Sequence, residues 1–143
     1  MPGKKILSTS STPEFILNPA GIITIRGRSM NGNLNTLGNE IEDWIDKYIT
    51  NPAEVTYIDF CLDYFNKANS GIIISLLRKI ESLSLINKKY IISWYYEEGD
   101  DDILEKGEYF SSEVNIPFNF IEIYDALMPE YIFHETEYLH SGS

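Results

Sequence analysis

The stretch Tyr64-Phe65-Asn66-Lys67-Ala68-Asn69-Ser70-Gly71-Ile72 places one hydroxyl, Ser70, where a strand pattern gives way to a helix pattern. A short side-chain oxygen at a helix start accepts a hydrogen bond from an otherwise unpaired amide, so Asn69 or Ser70 reads first as a helix cap. The same position suits a phosphate, because free amides and the positive end of the helix dipole favour an anion. Capping is the plainer reading and regulatory phosphorylation the sharper one, and spacing alone does not separate them.

The acidic run Glu97-Glu98-Gly99-Asp100-Asp101-Asp102 is the other cluster with chemical potential, since grouped oxygens suit Mg²⁺ or Ca²⁺. A carboxylate-dependent metalloenzyme would be built on Asp100 to Asp102. The spacing is not that of an EF-hand, and acids at the start of a helix already have a role in its dipole. The expectation is therefore a solvated, partner-facing patch with no metal. His134 and His140 both lie near the C-terminus, which leaves the rest of the chain without an imidazole for acid-base catalysis or for a Ser-His or Cys-His pair. No phosphate-cradling glycine motif is present, so no nucleotide cofactor is expected. Cys61 is the only cysteine and excludes an intrachain disulfide; it reads as a small core or sheet residue.

The elements that carry these residues follow from periodicity. Ile58, Phe60, Leu62 and Tyr64 alternate with Asp59, Cys61 and Asp63, the period of a strand with one better-buried face. Ile72, Ile73, Leu76, Leu77, Ile80 and Leu83 recur at helical spacing, with Ser75, Arg78, Lys79 and Glu81 opposite. Upstream, residues 12–17 and 22–28 read as a hairpin around Asn18-Pro19-Ala20-Gly21, with Ile23 and Ile25 facing inward. After an Asn- and Gly-rich stretch over 29–35, Leu37, Ile41, Trp44, Ile45, Tyr48 and Ile49 form a helical stripe that stops at Asn51-Pro52. Downstream come a strand over 90–96, a helix over 103–112 and a last strand over 118–123. The order β-β-α-β-α-β-α-β predicts an α/β domain with a mixed sheet of about five strands. Polar residues at alternate strand positions predict helices mainly on one face. Residues 1–11 read as a loose arm, 12–123 as the domain, and 124–143 as an extension divided by Pro129.

With 143 residues, 43% of them hydrophobic, the chain can bury a core of its own. A net charge of −11 argues against nucleic acid and anionic membranes as partners and leaves proteins. No apolar run spans a bilayer and the N-terminus lacks a signal pattern, so the cytoplasm is the expected location.

The block Trp94-Tyr95-Tyr96-Glu97-Glu98-Gly99-Asp100-Asp101-Asp102-Ile103-Leu104-Glu105-Lys106-Gly107-Glu108-Tyr109-Phe110, followed by Pro117-Phe118, resembles the signature of the SiaC family of bacterial regulatory phosphoproteins. Thr12-Pro13, Gly27, Ser29, Trp44, Tyr48 and Tyr64-Phe65-Asn66 extend the resemblance over residues 12–123. It implies a STAS-like fold and a non-enzymatic switch that a dedicated kinase and a PP2C-type phosphatase act upon. In that family the unphosphorylated form binds and activates a partner, in one system a diguanylate cyclase. The family's acceptor threonine directly follows the Tyr-aromatic-Asn run, where this chain carries Lys67. Two readings follow: Ser70 is the acceptor, as in the Ser-Gly junction of STAS antagonists, or the chain is a constitutive adaptor with a permanent cation at Lys67. In either case Tyr64, Asn66, Lys67, Asn69 and Ser70 are the expected partner-binding residues.

Overall fold

The computed structural model describes residues 1–29 and 35–124; the connection expected over 29–35 and the C-terminal extension lie largely outside this range. The strands are β1 (Lys4–Ile6), β2 (Glu14–Asn18), β3 (Ile22–Ser29), β4 (Val55–Phe65), β5 (Lys89–Glu97) and β6 (Asn119–Ile123). The helices are α1 (Asn35–Tyr48), α2 (Ser70–Glu81) and α3 (Asp101–Val114), with short 3-10 turns at Lys67–Asn69 and Ser82–Ile86.

All six strands form one sheet in the order β1-β2-β3-β4-β5-β6. The pairs β1/β2 and β2/β3 are antiparallel, and β3 to β6 run parallel. Three successive crossovers advance in one direction across the sheet, and crossovers of one hand then place their helices on the same face. Helix residues Ile41, Ile45, Ile73, Leu77, Ile103 and Phe110 accordingly share one core with Phe15, Ile23, Ile25, Ile58, Phe60, Ile92 and Trp94. The opposite face carries a small separate cluster, Tyr95 and Ile123 with Cys61 and Ile121 against them.

The sheet has six strands where about five were expected. The extra strand is β1, inside the segment read as a loose arm, where Lys4, Lys5 and Ile6 pair with Leu17, Ile16 and Phe15. Only one of its three residues is apolar, too few to show period 2. Its order comes from backbone pairing to β2 and from Ile6 packing on the core.

Two further expectations shift for local reasons. Tyr64 was grouped with Ile58, Phe60 and Leu62 on the buried face, yet it is 46% exposed. The β3/β4 register slips between Gly27 and Arg28, so that Gly27 pairs with Leu62 and Arg28 with Tyr64, leaving Asp63 unpaired. The slip swaps the faces beyond it: Phe65 is buried and Tyr64 faces out. Gly27 adopts φ +110° at this bulge, a region that side-chain-bearing residues avoid. The third helix starts at Asp101 rather than Ile103, because Asp100 caps it by accepting from the Ile103 amide at 3.1 Å.

Candidate functional site

The junction at Ser70 is assembled from both sides by side-chain amides. At the end of β4, Asn66 donates its backbone N–H to the Ser29 carbonyl at 2.7 Å, tying the end of β4 to that of β3. Its side-chain oxygen accepts from the Ala68 amide at 2.9 Å, so Asn66, rather than Asn69 or Ser70, supplies the side-chain cap that opens the turn. Asn69 holds the N-cap position of α2 but makes no side-chain cap; its Nδ2 donates instead to the Ser29 hydroxyl. Both partners are buried, at 3% and 1% exposure.

Asn69 therefore differs from the other expected partner-binding residues. It points into the protein and fixes the junction, whereas Tyr64 and Lys67 are exposed and Asn66 and Ser70 are half-buried. In Asn69→Ala the Ser29 hydroxyl loses that donor, and stability should fall by about 1–3 kcal/mol. Denaturant unfolding measures this, and additional removal of Ser29 (Asn69→Ala with Ser29→Ala) should add much less than a second full cost.

Tyr64, Asn66, Lys67 and Ser70 line a single groove of about 800 Å³, whose other wall is α3. That wall is Asp102, Glu105, Lys106, Tyr109 and Phe110. Asp102 was expected only as part of the acidic run, and the other four did not figure among the expected site residues, although Asp102, Glu105, Lys106 and Tyr109 recur at the three- and four-residue spacing of one helix face. Tyr109 is 48% exposed, so two tyrosines, 64 and 109, present their rings at the groove. Lys106 Nζ holds the Asp102 carboxylate at 2.6 Å, one helical turn away. Phe110 closes the floor, edge-on to Phe65 at 5.4 Å between ring centres.

Ser70 faces this groove at the first residue of α2, and Gly71 beside it has open space where a Cβ would be. A group added to Ser70 would enter a cleft bounded by two lysines, two acids and two tyrosines. Lys67 opens the 3-10 turn and is exposed.

The acidic run is largely accounted for by helix geometry. Asp100 caps α3 and Asp101 and Asp102 occupy its first turn, where they complement the dipole. Among the described residues no three His, Cys, Asp or Glu side chains are grouped to hold one ion. Cys61 is half-buried on the helix-free face, and burial, reinforced by the nearby Asp63 charge, pushes its thiol up to about 12. It therefore remains a protonated sheet residue at neutral pH and is not a nucleophile.

The fold has solved counterparts. SiaC of Pseudomonas aeruginosa in complex with the diguanylate cyclase SiaD, described there as its activator, superposes with a TM-score of 0.76 at 21% identity, covering 84% of this chain and 99% of that one. Apo-SiaC of the same organism gives a TM-score of 0.75 at 22% identity, over 85% of this chain and 99% of its own. In sequence, an uncharacterized protein of P. aeruginosa strain UCBPP-PA14 is 23% identical over 114 residues, 79% of this chain and 90% of that protein. The sequence model of the SiaC family of regulatory phosphoproteins matches residues 6–123, from β1 to the end of β6, and the chain belongs to that family.

Proposed function

We propose that this protein binds a signalling enzyme, of the diguanylate cyclase class, through the groove between the Ser70 junction and α3, and that phosphorylation of Ser70 releases it. The observation that carries this reading is the convergence of Tyr64, Asn66, Lys67 and Ser70 with the α3 face on one open cleft. The protein acts by docking rather than by catalysis, in the cytoplasm, with a protein kinase and a PP2C-type phosphatase setting its state. Among the described residues no helix is long and apolar enough to cross a membrane.

The energetics favour control at this point. A phosphoserine carries about −1.5 to −2 charges at neutral pH. It would sit near Asp102 and Glu105 on a chain already at −11, and Lys106 is engaged by Asp102. An acidic or apolar partner surface would meet added repulsion and desolvation, and about 1.4 kcal/mol changes affinity tenfold. Ser70→Asp should weaken cyclase binding about tenfold or more while Ser70→Ala binds as the parent does, measured by titration calorimetry. Equal binding by the two variants would refute the switch.

A second reading rests on Lys67, an exposed residue lining the groove at the position where the family carries its acceptor threonine. Here the chain is a constitutive adaptor. Mass spectrometry of the protein from its native host separates the two readings: phosphate on Ser70 supports the switch, and its absence under every growth condition supports the adaptor.

A further inference from the structure

The two edges of the sheet are built differently. At one edge β1 has three residues, two of them lysines, the short and charged kind of strand that discourages further pairing. At the other edge β6 has five residues, Asn119-Phe120-Ile121-Glu122-Ile123, with neither lysine nor proline and a regular register against β5. No described strand lies on its outer side. Successive residues of a strand aim their N–H and C=O groups to opposite sides, and the Ile123 carbonyl accepts the Glu98 amide at 2.8 Å, from the β5 side. Asn119, Ile121 and Ile123 therefore bond to β5, and the N–H and C=O groups of Phe120 and Glu122 point out of the sheet edge. The side chains divide as well. Phe120 is 37% exposed and lines a cavity with Glu108 and Ser112 of α3, whereas Ile121 packs against Tyr95 and Ile123 on the helix-free face.

We propose that β6 pairs antiparallel with β6 of a second copy of this chain, about a two-fold axis at Ile121, joining the two sheets into one. That axis sets Ile121 opposite Ile121 of the second copy, and Phe120 opposite Glu122 of the second copy. The backbone fits this register. The two Phe120–Glu122 pairs are of the hydrogen-bonded kind, with two bonds each, so four bonds satisfy every outward group of both strands. The Ile121 pair is of the other kind, with Cα atoms about 4.5 Å apart and side chains in closest contact, and it carries the apolar cluster of each copy across the axis. Glu122 meets a phenylalanine, so no like charges face each other, whereas an axis at Glu122 would oppose two carboxylates. An unrelated peptide would need none of this self-matching, which is why a second copy is the occupant. Each copy carries a net charge of −11, so the pairing works against a repulsion that salt screens.

Sedimentation of the full chain up to about 500 µM should show a monomer–dimer equilibrium, because a contact this small is a weak one. Its association constant should rise at least about threefold between about 50 mM and 0.5 M salt. Glu122→Pro removes an N–H that the β5 ladder does not use, a change that edge strands tolerate, and should weaken the dimer at least about tenfold while the circular dichroism stays that of the parent. The register is read with single thiols in chains that also carry Cys61→Ser. Diamide accepts the two electrons and two protons that a thiol pair gives up on forming a disulfide. Ile121→Cys should form a covalent dimer at least about tenfold faster than Phe120→Cys or Glu122→Cys, since only residue 121 lies within disulfide range of its own symmetry mate. A chain that stays monomeric over the whole range overturns the proposal, whether the edge is open or taken by another segment. A dimer that Glu122→Pro leaves unchanged, or equal disulfide rates at the three positions, overturns it too, because the contact would then lie elsewhere.

Discussion

Gly107→Ala should lower the stability of the domain by about 1–3 kcal/mol, although alanine is the better helix former by about 1 kcal/mol. A Cβ at residue 107 would lie 2.5 Å from Trp94 Nε1 and 2.6 Å from two of its ring carbons. Trp94 cannot yield, because it is fully buried, its Nε1 donates to the Ile103 carbonyl at 2.9 Å, and it packs against Phe60, Phe110 and Phe118. The strain must move α3 away from the sheet, and α3 is the far wall of the groove at Ser70. The substitution should therefore weaken partner binding even at temperatures where the chain remains folded. Thermal unfolding and cyclase titration together check it, and an alanine variant as stable as the parent would show that α3 is not seated on Trp94. Trp94→Ala tests the same contact from the other side and should cost about 3–5 kcal/mol by leaving a cavity.

How far the sequence shows this architecture depends on how many residues speak for each element. Helix α2 and strand β5 were plain, because six apolar residues at helical spacing and a dense Ile-Trp-Tyr run have few competing readings. The one-sided placement of helices was legible in Thr24 and Arg26 and in Asp59 and Asp63, polar residues alternating along strands that would read as continuously apolar if both faces were covered. Strand β1 was not legible, since its three residues are fixed by backbone pairing that any sequence can make. At the site, Tyr64 escaped its apparent face because the register slip opposite Gly27 is a property of two strands together. Asn69 looked like a cap for the same reason that it is none: its amide has a better partner in Ser29, forty residues away in sequence. The α3 wall was visible as a helix face but not as part of the site, because only the fold brings Lys106 and Tyr109 opposite Lys67 and Ser70.

Asp59→Asn should stabilise the protein above neutral pH, with little effect near pH 4. Burial pushes the Asp59 carboxyl up to about 7 from its ordinary value of 3.8, and no described charge opposes this. The sign follows from proton linkage. Between those two values the folded chain holds a proton that the unfolded chain has released, so raising the pH favours unfolding. The carboxyl imposes no penalty below about pH 4; the penalty grows through the window from 3.8 to about 7 and is complete above it. A separation of about three pKa units corresponds to roughly 4 kcal/mol, at 1.36 kcal/mol each. An amide carries no charge to desolvate but still leaves polar atoms to satisfy, so the expected gain at pH 8 is about 2–4 kcal/mol. Urea unfolding of parent and variant at pH 4, 6 and 8 measures the difference directly. A gain that is absent at pH 4 and large at pH 8 would locate the cost in the ionised carboxylate. A loss at every pH would instead mean that the carboxylate is paired in the folded protein.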